Sequence, residues 1–215
     1  SVGSNTGSSS PIVVSSLTND TAATAKVWAI NAYGTSAPSD ASASFTPVAL
    51  QRAFNFAGSS SGGRSNIIDY VDFASLGNYT DFGDTSSQRS VPAALSSSTR
   101  AVTAGGNEAS TNDGQTYMEC ITAGTTGNVT DFGDLTTDRQ SACGGGSNTR
   151  GLFVGGNGSG GFLVSIDYIT IGSTGNASDF GDASARSLAG GACASTTRFV
   201  HGGGQNSSGT QIDVI

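Results

Sequence analysis

Gly77-Asn78-Tyr79-Thr80-Asp81-Phe82-Gly83-Asp84 returns as Gly127-Asn128-Val129-Thr130-Asp131-Phe132-Gly133-Asp134 and as Gly175-Asn176-Ala177-Ser178-Asp179-Phe180-Gly181-Asp182. The blocks start at 77, 127 and 175, so they stand 50 and 48 residues apart. Self-similarity at such a period marks a repeat array, whose units bury their apolar faces against one another. It speaks to architecture first, because a turn repeated three times is scaffold before it is chemistry.

Working outward from the block, Arg52, Arg100, Arg150 and Arg198 each open a short apolar run. The runs close on the small pairs Ala57-Gly58, Gly105-Gly106, Gly155-Gly156 and Gly203-Gly204. A second apolar run follows a polar loop and centres on Asp69, Glu119, Asp167 or Asp213. After the block, Arg89, Arg139 and Arg186 lead into a run of Ala, Ser, Gly and Cys. Four short strands per unit is the content of one propeller blade, which gives units 52–99, 100–149 and 150–197 and a partial unit 198–215. Paired glycines allow positive φ and close backbone approach. The small residues of Ser141–Gly146 and Leu188–Ala194 suit an innermost strand, where blades converge. Each block phenylalanine is expected to bury its ring between blades, for roughly 2–3 kcal/mol. The block aspartates can accept turn amides, and an arginine before or after a strand could pair with them, for about 0–1 kcal/mol where the pair is exposed.

Composition agrees with an all-β class. The 215 residues include 32 glycines, and only 12% are charged. No periodic apolar stretch is long enough for an amphipathic helix. Glycine and serine enrichment can signal disorder, but apolar runs such as Leu163–Ile171 recur at the repeat interval, as buried strands require. A net charge of −7 argues against binding nucleic-acid phosphates. No run approaches a membrane span. The chain opens Ser1-Val2-Gly3 without a signal peptide or initiating Met, as a fragment would. Cys120, Cys143 and Cys193 are odd in number and form no CxxC pair, so they read as small buried thiols rather than a disulfide or zinc framework.

Residues 1–48 are unlike the repeats that occupy 49–215. Leu17–Thr21 reads as a turn, Ala25–Ala32 as a strand and Ala41–Pro47 as another. The string Val27-Trp28-Ala29-Ile30-Asn31-Ala32-Tyr33-Gly34-Thr35-Ser36-Ala37-Pro38-Ser39 resembles the last strands of a fibronectin type III domain, with their V-x-A-x-N-x-x-G-x-S-x-P-S pattern. The usual tyrosine-corner position falls at Ala23, so that clamp is missing. Half a sandwich would leave its apolar face bare, so the resemblance implies further strands upstream or from another chain.

The order of features from Arg52 onward resembles a kelch repeat: an arginine before the first strand, Gly-Gly ending the second, a third strand carrying a tyrosine (Tyr70, Tyr168) and an aromatic on the fourth. Phe82, Phe132 and Phe180 stand where that family has tryptophan, and Cys120 replaces one tyrosine. The resemblance implies blades of a propeller, incomplete within this sequence. Propellers close with about 4–8 blades, whereas three units and the start of a fourth precede Ile215. A longer protein is the favoured expectation, with completion by neighbouring chains as the alternative.

Catalytic signals are weak. Asp-Phe-Gly is shared with the magnesium motif of protein kinases, but the companion motifs are absent and three copies do not suit one active site. The pairs Asp81/Asp84, Asp131/Asp134 and Asp179/Asp182 offer oxygen ligands, at lower density than a calcium loop. His201 is the one histidine, too few for a triad or metal site built on histidines. This also disfavours the copper chemistry of secreted kelch-like oxidases. Asn19, Asn78, Asn128, Asn176 and Asn206 begin glycosylation sequons, read here as turns. No catalytic residue, metal or cofactor is expected.

Fibronectin-like then glycine-rich, lysine-poor propeller repeats look like modular structural proteins of bacteriophages, in which units with an STGNxxDFGD core recur. Gly172–Asp182 carries that resemblance most fully. It implies a virion protein, a tail fibre or other appendage, serving assembly and, as a second role, host-surface adhesion. The implied partners are other virion proteins, host cell-surface glycans and further copies of the chain, with neither nucleic acid nor membrane insertion. The competing readings are a secreted or surface-anchored bacterial adhesin or carbohydrate-binding propeller, and the non-catalytic part of a secreted kelch-like oxidase. Adhesion would fall to the variable loops Ser59–Asn66, Asn107–Thr116 and Asn157–Phe162.

Overall fold

The computed structural model describes residues 5–8, 14, 17, 21–45, 51–185, 188–206 and 208–211. The chain divides into two compact units, Ser1–Leu50 and Gln51–Ile215. Among the described residues every regular element is a strand, and no helix is long and apolar enough to cross a membrane.

In the first unit, β1 (Ile30–Asn31) and β2 (Gly34–Thr35) form a small antiparallel hairpin. Asn31 Oδ1 tightens its turn by accepting the Tyr33 amide at 2.9 Å. Below it, the arms bond at 29/36, 27/39, 25/42 and 23/45. One arm therefore advances three residues for every two of the other. This mismatch explains why the strand expected over Ala25–Ala32 is regular only at Ile30–Asn31. Ser36, Ser39 and Ser42 compensate, their hydroxyls accepting the amides of Ala29, Val27 and Ala25. Val27, Trp28, Ile30 and Tyr33 are exposed. Most of the turn expected at Leu17–Thr21 lies outside the described residues.

The second unit begins with β3 (Arg52–Ser60), β4 (Gly63–Asp72) and β5 (Thr80–Ser90). Next come β6 (Ala93–Ser96), β7 (Arg100–Ala104), β8 (Asn107–Glu108), β9 (Gln115–Thr122) and β10 (Thr130–Arg139). Then follow β11 (Cys143–Gly146), β12 (Arg150–Val154), the hairpin β13 (Asn157–Gly158) and β14 (Gly161–Phe162), β15 (Ser165–Thr170) and β16 (Ser178–Asp182). A last hairpin joins β17 (Gly191–Ala194) to β18 (Phe199–Gly202). The antiparallel sheets are β3-β4-β5-β8, β6-β7-β9-β10 and β11-β12-β15-β16. Consecutive sheets pack face to face and curl, an all-β arrangement compatible with part of a propeller.

The sheets are out of phase with units that begin at each arginine. The small-residue strands β6, β11 and β17 pair forward, with β7, β12 and β18. The cause is a tight turn: Ser97, Ser147 and Ser195 each accept, through Oγ, the amides of the residues two and three further on. The inner strands also meet one another. A β-carbon on Gly144 would overlap the Ala94 carbonyl, and Cys143 Sγ donates to the Gly190 carbonyl at 2.8 Å. Small residues are therefore a steric requirement there. Just before each inner strand, Val91, Ser141 and Ala189 share a left-handed φ of 50, 55 and 55°. Their peptides link neighbouring sheets, Ser141 N to Val91 O at 2.9 Å and Ala189 N to Ser141 O at 3.0 Å.

Two apolar clusters fill the spaces between sheets. Phe56, Ile68 and Phe82 of the first sheet pack on Ala101 and Ile121 of the second. Val102, Met118, Cys120 and Phe132 of the second pack on Phe153, Ile169 and Ile171 of the third.

Candidate functional site

The repeat block is one half of a joint between sheets, and the next repeat holds the other half. The Gly127 amide donates to Phe82 O at 2.8 Å, and Gly175 donates to Phe132 O at 2.7 Å. Asn128 Oδ1 accepts the Asp84 amide and Asn176 Oδ1 the Asp134 amide, each at 3.0 Å. Val129 N and Ala177 N then donate to the carbonyls of Asp84 and Asp134. Each Gly-Asn turn thus grips the Phe-Gly-Asp segment one repeat earlier. Gly133 makes the approach possible: it has φ 133°, and a β-carbon there would sit 2.5 Å from the Gly175 carbonyl.

Beneath each turn lies a buried ion pair. Arg89, at the end of β5, reaches across to Glu119 in β9, and Arg139, at the end of β10, reaches Asp167 in β15 at 2.8 Å. Arg89, Arg139 and Asp167 are fully buried, and Glu119 is nearly so. Burying such charges costs several kcal/mol per ion, so the remaining bonds decide whether the pair holds. Asp167 also accepts Thr136 N at 2.7 Å and Thr136 Oγ1 at 2.8 Å, while Glu119 accepts Ser86 N at 3.2 Å. Arg139 donates further to the carbonyls of Gly155 and Ser165, whereas Arg89 lies over the Tyr117 ring with Nε and Nη1 unpartnered. Desolvation pulls the Arg139 guanidinium below its ordinary value, against the raising influence of Asp167.

The arginines that follow the block therefore pair with the acidic residues of the next repeat's β-strand, and the pairs are buried. The expectation that these arginines pair with the block aspartates is corrected: their partners are Glu119 and Asp167, and Asp81, Asp131, Asp134, Asp179 and Asp182 face solvent. The counterparts Arg186 and Asp213 lie outside the described residues. A second arginine set bonds across the same joints, Arg52 Nη1 to Ala123 O at 2.8 Å and Arg100 Nη1 to Ile171 O at 3.1 Å.

Phe82 and Phe132 are buried at 2% and 1% exposure. Phe180 does not follow them: it is 50% exposed, edge-on to Tyr168 at 6.0 Å. Its motif is intact, but burial is conferred by the following repeat. Ile121 and Ile169 are the covering residues at the two complete joints; their counterpart Ile215 lies outside the described residues.

The other candidates stay apart. His201 lies in β18 against Gly190, half-buried, with its pKa lowered by desolvation. Cys120 and Cys143 are buried, and burial pushes the Cys143 thiol up; Cys193 is exposed. Among the described residues no cluster of His, Cys, Asp and Glu could hold a metal ion. The sequon residues Asn128 and Asn176 are engaged as turn acceptors. The first variable loop joins β3 to β4, the first two strands of its sheet, and the other two join the second and third strands of theirs; in each case the loop follows the strand that opens on an arginine, so all three share one end of the array. Two of them reach back to the preceding sheet: Arg89 pairs with Glu108 and Ser90 with Asn107, and Asp138 accepts Ser159 N at 2.7 Å. The first is a hairpin turning at Ser61-Gly62, and Arg64 from it donates to Glu108 O and Asn112 Oδ1.

No family model matches the chain, and no curated protein matches it. Among solved structures, that of YjhT is similar over 70% of this chain and 48% of its own, at 11% identity and a TM-score of 0.57. At that identity the likeness concerns the fold alone. The chain spans about half the length of that structure.

Proposed function

We propose that this chain is a non-catalytic structural module of a bacteriophage virion, part of a tail fibre or another appendage. In this reading the second unit is a run of kelch-like blades, and the first is the C-terminal part of a fibronectin type III-like domain. The observation that carries the proposal is the joint. Its buried arginines, acidic partners, glycines and asparagines hold one repeat to the next; Glu119 also borders a small pocket with Ser86, Tyr117, Val129 and Asp131, and there it already accepts the Ser86 amide and the Arg89 guanidinium. The phage assignment itself rests on the STGNxxDFGD resemblance and the order of the modules. Assembly with other virion proteins and further copies of the chain is the primary role. Adhesion to host glycans falls to the exposed loop tips at Ser61-Gly62, Ser110–Asp113 and Ser159-Gly160, held on a rigid scaffold.

The test is mass spectrometry of purified particles from a host culture that carries the gene. Peptides of this chain should co-purify with capsid and tail proteins. Recovery in the cell-envelope fraction alone would replace the proposal with a surface adhesin. Deleting the loop tips should weaken attachment while particles still form, and a hydrolytic or oxidative activity abolished by His201→Ala would refute the non-catalytic reading.

A further inference from the structure

The two complete joints follow one plan but are not equally held. Three amides cross each of them at matching places: Asp84, Gly127 and Val129 between the first and second sheets, and Asp134, Gly175 and Ala177 between the second and third. These bonds span 2.8 to 3.0 Å at the first joint and 2.7 to 3.0 Å at the second. The difference lies beneath them. Arg139 donates to Asp167, to the carbonyls of Gly155 and Ser165 and to the Ser165 hydroxyl. Only its Nε lacks an acceptor among the described residues. Arg89 donates to Glu119, and both its Nε and its Nη1 are buried without an acceptor among the described residues. Tyr117 stands where Ser165 does and offers that guanidinium a ring face, 4.8 Å away, rather than a hydroxyl. The Tyr117 hydroxyl is turned to Ser87 Oγ at 2.5 Å.

The apolar filling differs in the same direction. Thr85, Thr103 and Ala123 are buried at the first joint where the second has Leu135, Phe153 and Ile171. Phe54 and Tyr70 replace the smaller Val102 and Cys120, yet both rings are only partly buried. A buried donor without an acceptor costs its desolvation, and less buried apolar area contributes less to closure. Both deficits fall on the first joint. Its additional bonds, the pairing of β5 with β8 and those of Arg64 to Glu108 O and Asn112 Oδ1, gather at the loop end.

We propose that the first joint is the hinge of the array. It opens as a unit, pivoting on β8 at the loop end, in a step that leaves the second joint closed. Opening parts β5 from β9 and brings water to Arg89 and to the rings around Phe82. Neither sheet has to lose its own strand pairing, so the step is a sub-global opening rather than unfolding.

Amide hydrogen exchange of the full 215-residue chain, read residue by residue by NMR, tests this with the matched amides as reporters. After correction for intrinsic rates, the amides of Asp84, Gly127 and Val129 should exchange at least about tenfold faster than those of Asp134, Gly175 and Ala177. Their exchange should also depend less on added urea, because opening exposes less surface than unfolding does. Equal protection at the two joints, or the reverse order, would overturn the proposal. A second measurement addresses the cause. Arg89→Met/Glu119→Leu replaces the under-bonded pair with apolar side chains of similar length, and it should slow exchange of the three first-joint amides about tenfold while those of the second joint keep their rates. Faster exchange at the first joint in that variant would show that the pair holds it closed, and the hinge assignment would fall. The comparison within the parent chain decides the matter even where the variant does not fold.

Discussion

Removing one member of the Arg139–Asp167 pair should disrupt the joint between the second and third sheets far more than removing both. In Arg139→Met, Asp167 stays fully buried and keeps only the Thr136 amide and hydroxyl, at 2.7 and 2.8 Å. An uncompensated buried charge of this kind costs about 3–5 kcal/mol. Asp167→Leu strands the guanidinium instead, with the Gly155 carbonyl and the Ser165 carbonyl and hydroxyl as its remaining acceptors, for a loss of similar size. The double variant has no buried charge. It still orphans the Thr136 amide, which holds it below the parent by about 1–3 kcal/mol. The double loss should therefore fall short of the summed single losses by at least about 2 kcal/mol. Urea unfolding followed by far-UV circular dichroism measures the cycle. Tryptophan fluorescence would not serve, because the single tryptophan, Trp28, lies in the first unit. Amide exchange in β10 and β15 localises the loss. Single-variant losses below about 1 kcal/mol, or strict additivity, would refute the view that the pair holds the joint.

Phe132→Ala should cost about 3–5 kcal/mol in the same assay, and Phe180→Ala about 1 kcal/mol or less, since its ring is already half in water; equal losses would contradict burial by the following repeat. Gly133→Val should destabilise by more than about 2 kcal/mol, from both its φ and the Gly175 overlap, whereas Gly181→Val has no atom to strike and carries the backbone cost alone. Val91→Gly should stabilise the chain by about 1 kcal/mol by relieving a left-handed β-branched residue, read as a raised urea midpoint. Because burial lowers the folded pKa of His201, the unfolded chain binds that proton more readily. Stability is then lost as pH falls from the ordinary histidine value near 6.5 through the lower folded value, and His201→Gln should flatten that part of the profile.

The repeat, its glycine pairs and the narrow inner strands were legible because each follows from local composition. Small residues at Cys143–Gly146 announce a crowded place whatever their partner is. The partner itself was not legible. Nothing in the Ser-x-Thr-Arg spacing of Ser97–Arg100 distinguishes a hairpin inside a sheet from a link between units until the serine hydroxyl is seen capping the turn. Arg139 and Asp167 are each visible in sequence, but they stand 28 residues apart on different strands. Only the stacking of one sheet on the next brings them together and removes both from water. Phe180 makes the same point in reverse. It sits in the same motif as Phe132, yet its exposure is fixed by what lies across the gap rather than by its own neighbours in the chain.

Among the described residues the middle repeat carries both a grip for the unit before it and a seat for the unit after it. A gene with such a joint can gain or lose whole repeats by recombination, and each new neighbour meets a surface that already fits. The arginine stands five residues after the last block aspartate at Asp84/Arg89 and again at Asp134/Arg139. The two-residue difference in spacing falls instead between Arg100 and Glu119, against Arg150 and Asp167, in the loop that can lengthen freely. Loop length thus differs between the two complete joints while their contacts stay the same, and the third block departs in turn, its Arg186 standing four residues after Asp182.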